Sequence, residues 1–519
     1  MTITIETAKG KVVRQLSQEK AALSQILQEA GLPGLDMPCG GRGVCGKCRV
    51  IASGALSAPT PQELRLLGPD YDRGIRLACM TWAEGDCILR LPERQAHILT
   101  GSGEAAGDWK PLGETWGFAV DIGTTTVALE LWDLRERKRL GSAAFSNPQS
   151  AFGADVISRI QAALEGQGEA LRQRILQELD QVMAKLAQGL SPEGVAVITG
   201  NTTMLYLLAG TDPEPLSHAP FALTERFGGF LPGLVFPSLP KMRCFLPQPI
   251  AAFVGADITC SILGGGIRKG GVRLLADIGT NGEMALCRDG SLWCCSTAAG
   301  PAFEGAGITM GSAAVEGALS RFECLPEGGF SWSVIGRPDN SPAEGICGSG
   351  LIDSVAACLE SGLVDETGRI DPDVGEEAGL YTTYGGKPAL RLGDSGVLLT
   401  QEDFRAVQLA KAAICAGIRS LLHEAGIPPE QVDELVLAGG FGTYLRRESA
   451  VRIGLIPPEL SDRVRPAGNA ALAGALLILQ SAAACEEGAR IPKEAVTLEL
   501  STSPYFMDQY VEEMLFPES

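Results

Sequence analysis

The chain has 519 residues, 45 % hydrophobic and 20 % charged, which is enough apolar material for packed cores and excludes global disorder. At ~100–200 residues per domain it divides into about three compact units. A net charge of −19, from 43 Lys+Arg against 62 Asp+Glu, argues against nucleic acid or an anionic membrane as the main partner.

The charge is uneven: residues 1–94 carry +2 and the remainder −21. The opening MTITIETAKGK alternates and lacks the apolar segment of a secretory signal. Fifteen cysteines without such a signal point to a reducing cytoplasm, where thiols and metal ligands outnumber disulfides. Residues 2–6 pair back on 11–16 through the turn at Lys9-Gly10. Ser17 to Ala30 is predicted as an amphipathic helix, with Ser17 as cap and Ala22, Leu23, Ile26 and Leu27 on one face. A strand over 49–52, a short helix over 61–67 and a strand pair, 75–82 with 87–91, follow, and Cys79 is expected on the first strand of that pair.

Between helix and strand lies Cys39-Gly-Gly-Arg-Gly-Val-Cys45-Gly-Lys-Cys48, with Cys79 further on. Four thiolates can hold a [2Fe–2S] cluster, and plant-type ferredoxins space the first two by four residues. The five-residue gap here resembles the adrenodoxin-like branch of the ferredoxins. Glycines suit the chemistry, because backbone N–H groups must wrap a negatively charged cluster closely. Cys-x2-Cys alone also fits zinc, so a zinc knuckle is the alternative. Cys87 rivals Cys79 as fourth ligand; Cys79 is preferred because it follows Gly-Ile-Arg-Leu-Ala, as the distal ligand does in the ferredoxins this segment resembles. Residues 1–94 are therefore expected to be a β-grasp [2Fe–2S] domain. Residues 95–115, rich in Gly, Ala and Ser around 95–113, are expected to be a flexible linker.

An internal repeat organises the rest. Phe118-Ala-Val-Asp121-Ile-Gly123-Thr124-Thr125-Thr126 recurs as Leu275-Ala-Asp277-Ile-Gly279-Thr280-Asn281-Gly282-Glu283. Each copy is an apolar strand, a Gly/Thr turn and a second strand, and a third strand follows (140–146; 291–298). Such turns expose successive N–H groups and hydroxyls to phosphate oxygens. The Asp at the strand end can hold Mg²⁺ through water or orient an attacking water. A third element, Glu434-Leu-Val-Leu-Ala-Gly439-Gly440-Phe-Gly442-Thr443, is a strand running into a glycine cluster suited to an adenosine. Gly468-Asn469 then opens a helix; the apolar run 470–485, broken by Gln480 and Ser481, is shorter than the ~20 residues a bilayer needs and is predicted as a buried helix. No P-loop signature occurs.

The order of two phosphate loops and an adenosine loop resembles the acetate/sugar kinase–Hsp70–actin (ASKHA) superfamily. The whole arrangement is similar to the reductive activators of corrinoid proteins. Supporting motifs are Ile198-Thr-Gly-Asn201-Thr-Thr-Met204, Asn147-Pro-Gln, Gly153-Ala-Asp155-Val-Ile-Ser-Arg159, Gly300-Pro-Ala-Phe-Glu304 and Glu344-Gly-Ile-Cys347-Gly-Ser-Gly350-Leu-Ile-Asp353. Tyr206 departs from the pattern, which has His after Thr-Thr-Met-Leu, and the short linker leaves no separate middle domain. The resemblance implies an α/β multidomain chain: a ferredoxin-like domain plus a duplicated RNase H-like ATPase domain over 116–519, with halves 116–270 and 271–495 and a tail 496–519. It implies ATP and Mg²⁺ beside the [2Fe–2S] cluster, and one-electron reduction of Co(II) to Co(I) on a partner corrinoid protein or corrinoid-dependent methyltransferase. An external low-potential electron donor is implied, and a homodimer stays open. Other readings of the residues are an ATPase or kinase with a redox-sensing iron–sulfur domain, and a chaperone-like assembly factor.

The candidate residues are, for the cluster, Cys39, Cys45, Cys48 and Cys79. For nucleotide they are Gly123, Thr124, Thr125, Thr126, Gly279, Thr280, Asn281, Gly282, Gly439, Gly440 and Gly442. For catalysis they are Asp121, Asp277 and Glu283, with Glu304 and Glu344 as further candidates for the base. Cys294, Cys295 and Cys347 are read as small buried hydrophobes. Only three histidines occur, and His423-Glu-Ala-Gly426 lacks the Asp of D-x-H-x-x-G because Leu421 stands there. The cobalt is therefore expected on a partner.

Overall fold

The computed structural model describes all residues except 8–9, 31–42, 44–45, 47, 92–106, 440–444 and 519. Alternation along Thr2–Thr7 buries Ile3 and Ile5, and this strand pairs antiparallel with Gly10–Gln15. Its other edge runs parallel to Trp82–Arg90, which pairs in turn with Arg49–Leu56; Ile75–Leu77 closes the far edge. Helix Leu23–Glu29 lays Leu23, Ile26 and Leu27 on the core of this sheet. A parallel first and last strand with a helix across the sheet is the β-grasp arrangement of ferredoxins.

Three details correct the sequence reading. The helix starts at Leu23 rather than Ser17, because Ala21–Ala22 first pairs with the strand at Trp82 and Ala83. Residues 82–90 form one strand through the segment read as a turn. Cys79 lies in a turn, not on a strand: Ala78 N–H donates to Cys48 O and Met80 N–H to Leu77 O, which ends the short strand Ile75–Leu77.

Of residues 95–115, those up to 106 lie outside the described residues. Beyond them the chain is docked, not free. Lys110 N–H donates to Gln480 O, Leu112 N–H to Leu479 O, and Ser481 Oγ to Asp108.

The rest is built from two copies of one sheet plan. In the first, Trp116–Ile122, Thr126–Asp133 and Lys138–Ser146 form an antiparallel meander, and Val195–Gly200 and Arg243–Leu246 extend it in parallel beyond its first strand. In the second, Val272–Ile278, Gly282–Arg288 and Ser291–Thr297 form the meander, with Glu434–Ala438 and Val464–Gly468 in the parallel positions. The strands are nearly uninterrupted apolar runs, as central strands covered on both faces require. Ala318–Cys324, Phe330–Val334 and a second small sheet, Tyr381–Thr400, are inserted in the second copy.

A helix follows the fifth strand in each copy: Ala256–Gly265 and Ala470–Gln480. These two pack directly on one another. A Cβ on Gly474 would collide with the Cys260 carbonyl, and one on Gly264 with that of Ala470, so only glycine permits this approach. The predicted helix over 470–485 is broken at Ser481, whose extended backbone ends one helix while its hydroxyl caps the next, Ala482–Glu494. Among the described residues, no helix is long and apolar enough to cross a membrane.

Candidate functional site

Two sites emerge. In the β-grasp part, Cys48 Sγ and Cys79 Sγ stand 3.2 Å apart. Cys39 and Cys45 lie outside the described residues. The Cys79 turn is held by Glu63, whose fully buried carboxylate accepts from Leu77 N–H (2.9 Å) and Thr81 Oγ1 (2.9 Å) on either side of it. Arg76 completes this anchor with a bidentate pair at 2.9 and 3.1 Å. Burial alone would raise the Glu63 pKa; the Arg76, Leu77 and Thr81 hydrogen bonds outweigh it and hold the carboxyl below its usual range. Cys87 is different in kind. It is buried in the sheet's core, and burial pushes its thiol up to about 11, which favours an uncharged core residue over a thiolate ligand. Arg49, one of the cations near the cysteine loop, is paired with Asp70 and donates to Gly46 O.

The second site lies where the two copies face each other. The first Gly/Thr loop folds back by Gly123 N–H to Thr126 O (2.9 Å), and the second by Gly279 N–H to Asn281 O (3.0 Å). Below the first loop, Asn147 Nδ2 donates to Gly123 O and Asn201 Nδ2 to Thr124 Oγ1, at 2.8 and 3.1 Å. Asn201 also caps helix Thr202–Ala209. Arg159 is fully buried there and donates to the carbonyls of Thr124 and Gly153. Above the loops, Glu304 Oε2 accepts from Thr125 Oγ1 (2.6 Å) and Thr280 Oγ1 (2.7 Å).

Asp121 and Asp277 end equivalent strands, and each is held by the helix of the opposite copy. Asn469, the cap of Ala470–Gln480, donates to Asp121 Oδ2 at 2.8 Å; Ser261 of helix Ala256–Gly265 donates to Asp277 Oδ2 at 3.1 Å. Burial lifts Asp121 to about 7 and Asp277 to about 6; Asn469 and Ser261 oppose this, and the Asp277 charge adds to the rise at Asp121. Asp257 and Glu283 are pushed well up, first by burial and then by the neighbouring carboxylates. Four carboxyls thus crowd a buried cleft, and among the described residues no cation offsets their charge. Among the described residues, no three of these groups are arranged to hold a metal ion by themselves. Gly439 closes the cleft from the end of Glu434–Ala438: its φ is +103°, and a Cβ there would strike Ile278 O and lie 3.1 Å from Asp277 Oδ1. Gly440 and Gly442 fall outside the described residues.

A family model described as the C-terminal, ASKHA domain of RACo matches residues 271–519, and one for the RACo middle region matches 116–270. A corrinoid activation enzyme, RamQ, from Eubacterium limosum is 34 % identical over 447 residues, covering 82 % of this chain and 74 % of its own. The chain belongs to the RACo family of corrinoid-protein activators. A Methanosarcina barkeri reductase of the Co(II) form of a methylated-amine-specific corrinoid protein is 26 % identical over 436 residues, with 77 % of each chain covered. A solved structure of a reductive activator for a corrinoid, iron–sulfur protein superposes with a TM-score of 0.73 at 28 % identity, covering 99 % of this chain and 98 % of that one. As in that family, the fold joins a ferredoxin-like part to ASKHA domains. The family's middle region is present, as the first copy of the sheet plan, which corrects the expectation that a middle domain is missing.

In this RACo-family chain, Asp257 is the site residue that sequence reasoning missed. Its one signal is an acidic residue in the first turn of a helix that is otherwise almost wholly apolar and buried. Glu344 is exposed and paired with Arg337, away from the cleft. Tyr206 is a core residue whose hydroxyl bonds the Glu225 backbone. His423 stacks on Tyr505 at 3.8 Å.

Proposed function

We propose that the chain delivers one electron from a [2Fe–2S] cluster on Cys39, Cys45, Cys48 and Cys79 to the Co(II) corrinoid of a partner protein, giving Co(I), and that Mg–ATP bound between the two Gly/Thr loops drives this transfer. The domain boundaries that go with this are 1–94, 95–115 and 116–519. The observation that carries the reading is the coexistence, in one chain, of a thiol pair in a β-grasp domain with a duplicated cleft whose two strand-end aspartates are each held by the opposite copy. When bound, the cluster supplies a single electron at low potential. Glu63 fixes the turn that carries Cys79, so that thiol is preorganised beside Cys48. In the cleft, Gly123, Thr124, Thr125 and Thr126 face Gly279, Thr280, Asn281 and Gly282 across the phosphates, Gly439, Gly440 and Gly442 take the adenosine side, and Asp121, Asp277 and Glu283 face the Mg²⁺ and the attacking water.

Co(I) is a strong reductant, so transfer to Co(II) runs uphill, and each ~59 mV costs tenfold in equilibrium constant for one electron. ATP offsets this only if it binds one conformation of the complex better than another. Asp121–Asn469 and Asp277–Ser261 are bonds between the copies, so a ligand that alters either aspartate acts on the packing of both halves. Relatives that activate or reduce corrinoid proteins support a corrinoid protein as the substrate. A low-potential donor must reload the cluster. Titrating the reduced protein against a Co(II) corrinoid protein, with and without Mg–ATP, tests the reading: Co(I) should accumulate with nucleotide, and equal yields in both arms would remove ATP from the account.

A further inference from the structure

Glu304 occupies an unusual place for a carboxylate. It ends the short turn Pro301–Glu304, and a single oxygen, Oε2, accepts the Thr125 hydroxyl at 2.6 Å and the Thr280 hydroxyl at 2.7 Å. One donor comes from each loop, from neighbouring rather than matching positions of the repeat, since Thr280 aligns with Thr124. Its other oxygen faces Gly279, where a Cβ would stand 3.4 Å away. Beneath the first loop is Arg159, buried without a carboxylate in ion-pair reach among the described residues; Asp155 and Glu304 are the anions whose charge it senses. One anionic oxygen thus receives a hydroxyl from each loop, above a buried cation. This is the environment two phosphate-binding loops prepare for a phosphoryl oxygen.

We infer that Glu304 is a phosphate surrogate: in the nucleotide-free protein its carboxylate latches the two loops together, and the phosphates of an incoming nucleoside triphosphate must displace it. The inference rests on the nucleotide reading of this cleft and deepens it, since it makes Glu304 the residue that sets nucleotide affinity by competition. The backbone beside Glu304 is closely packed. Gly305 follows with φ +78° and its Cβ position against Ser312, and Ala302 and Phe303 are buried. Release is therefore a rotation of the Glu304 side chain, and the freed hydroxyls of Thr125 and Thr280 pass to the phosphate.

The test uses the full-length, cluster-loaded protein and a magnesium complex of a non-hydrolysable ATP analogue, followed by titration calorimetry and by thermal melting. Glu304→Gln removes the competing charge, and Glu304→Asp keeps it but is too short to span both hydroxyls. Both variants should melt below wild type without nucleotide, yet bind the analogue more tightly, Glu304→Gln by about tenfold or more if a charge-assisted hydrogen bond no longer has to be broken. Opposite signs in the two readouts are what a merely structural role does not give. Weaker or unchanged binding by both variants, with wild type binding normally, overturns the latch. No binding by wild type overturns the nucleotide reading itself, and the latch with it.

Discussion

The crowding of four carboxyls makes the cleft a source of instability that depends on pH. Asp121 has its pKa raised to about 7 from 3.8, chiefly by burial. A raised acid binds its proton more tightly in the folded state, so the stability it contributes is present below the unfolded value and is lost as pH rises through the folded one. Three pKa units at ~1.36 kcal/mol each amount to about 4 kcal/mol lost near pH 8, and about 2 kcal/mol near pH 5, where only the unfolded carboxyl is ionised. Asp121→Asn removes this titration while its amide oxygen can still accept from Asn469. At ~2 °C per kcal/mol for a large domain, the nucleotide-free, chelator-treated variant should melt on the order of 8 °C above wild type near pH 8 and about 4 °C above it near pH 5. Mg–ATP should reverse the order at the higher pH, because only the wild type regains its aspartate in charged form. Parallel pH dependences for the two proteins would refute the argument that these carboxyls are desolvated and mutually opposed.

Glu63→Gln leaves Arg76 buried without its anion, which should cost ~3–5 kcal/mol in the β-grasp part and bleach the visible absorbance at lower temperature. Because Glu63 is held low, its contribution is present above the ordinary carboxylate range and is lost only as the pH falls through its depressed value, so wild-type absorbance should fade in acid while the variant's is already weak near neutrality. Cys79→Ser should lose iron and visible absorbance, whereas Cys87→Ser should keep both; the reverse would move the fourth ligand to Cys87. Gly439→Ala forces a side chain into a φ of +103° and onto Ile278 O, and should shrink the melting shift given by Mg–ATP with the iron content unchanged.

Much of the fold was legible because it is written locally and twice. The strands ending in Asp121 and Asp277 share an apolar run, a Gly/Thr turn and a returning strand, and that repeat is enough to infer two facing loops. The hairpin of Thr2–Thr7 and the helix Pro61–Leu67 follow from alternation and from the Thr60 cap. What stayed hidden depends on contacts between distant segments. Asp257 reaches the cleft because its helix packs on Ala470–Gln480 through Gly264 and Gly474, a packing no local pattern encodes. Of three candidate bases, Glu283, Glu304 and Glu344, spacing could not separate the buried one, the one between the loops and the one on the surface. The turn at Cys79 has no local mark in the sequence; Glu63, a carboxylate distant in the chain, gathers donors from Arg76, Leu77 and Thr81 and holds the turn there.

The central claim is that cluster and cleft do separate jobs that must be joined to reduce cobalt. Its most direct measurement compares Cys48→Ser and Asp121→Asn in one assay: cluster reduction by a chemical donor, ATP hydrolysis with and without the Co(II) corrinoid partner, and the optical yield of Co(I). Asp121→Asn should accept the electron and fail to accumulate Co(I), while Cys48→Ser should bind ATP and deliver no electron. In wild type the partner should stimulate hydrolysis, since coupling runs in both directions. A full Co(I) yield from Asp121→Asn with a donor no stronger than the cluster would contradict the account.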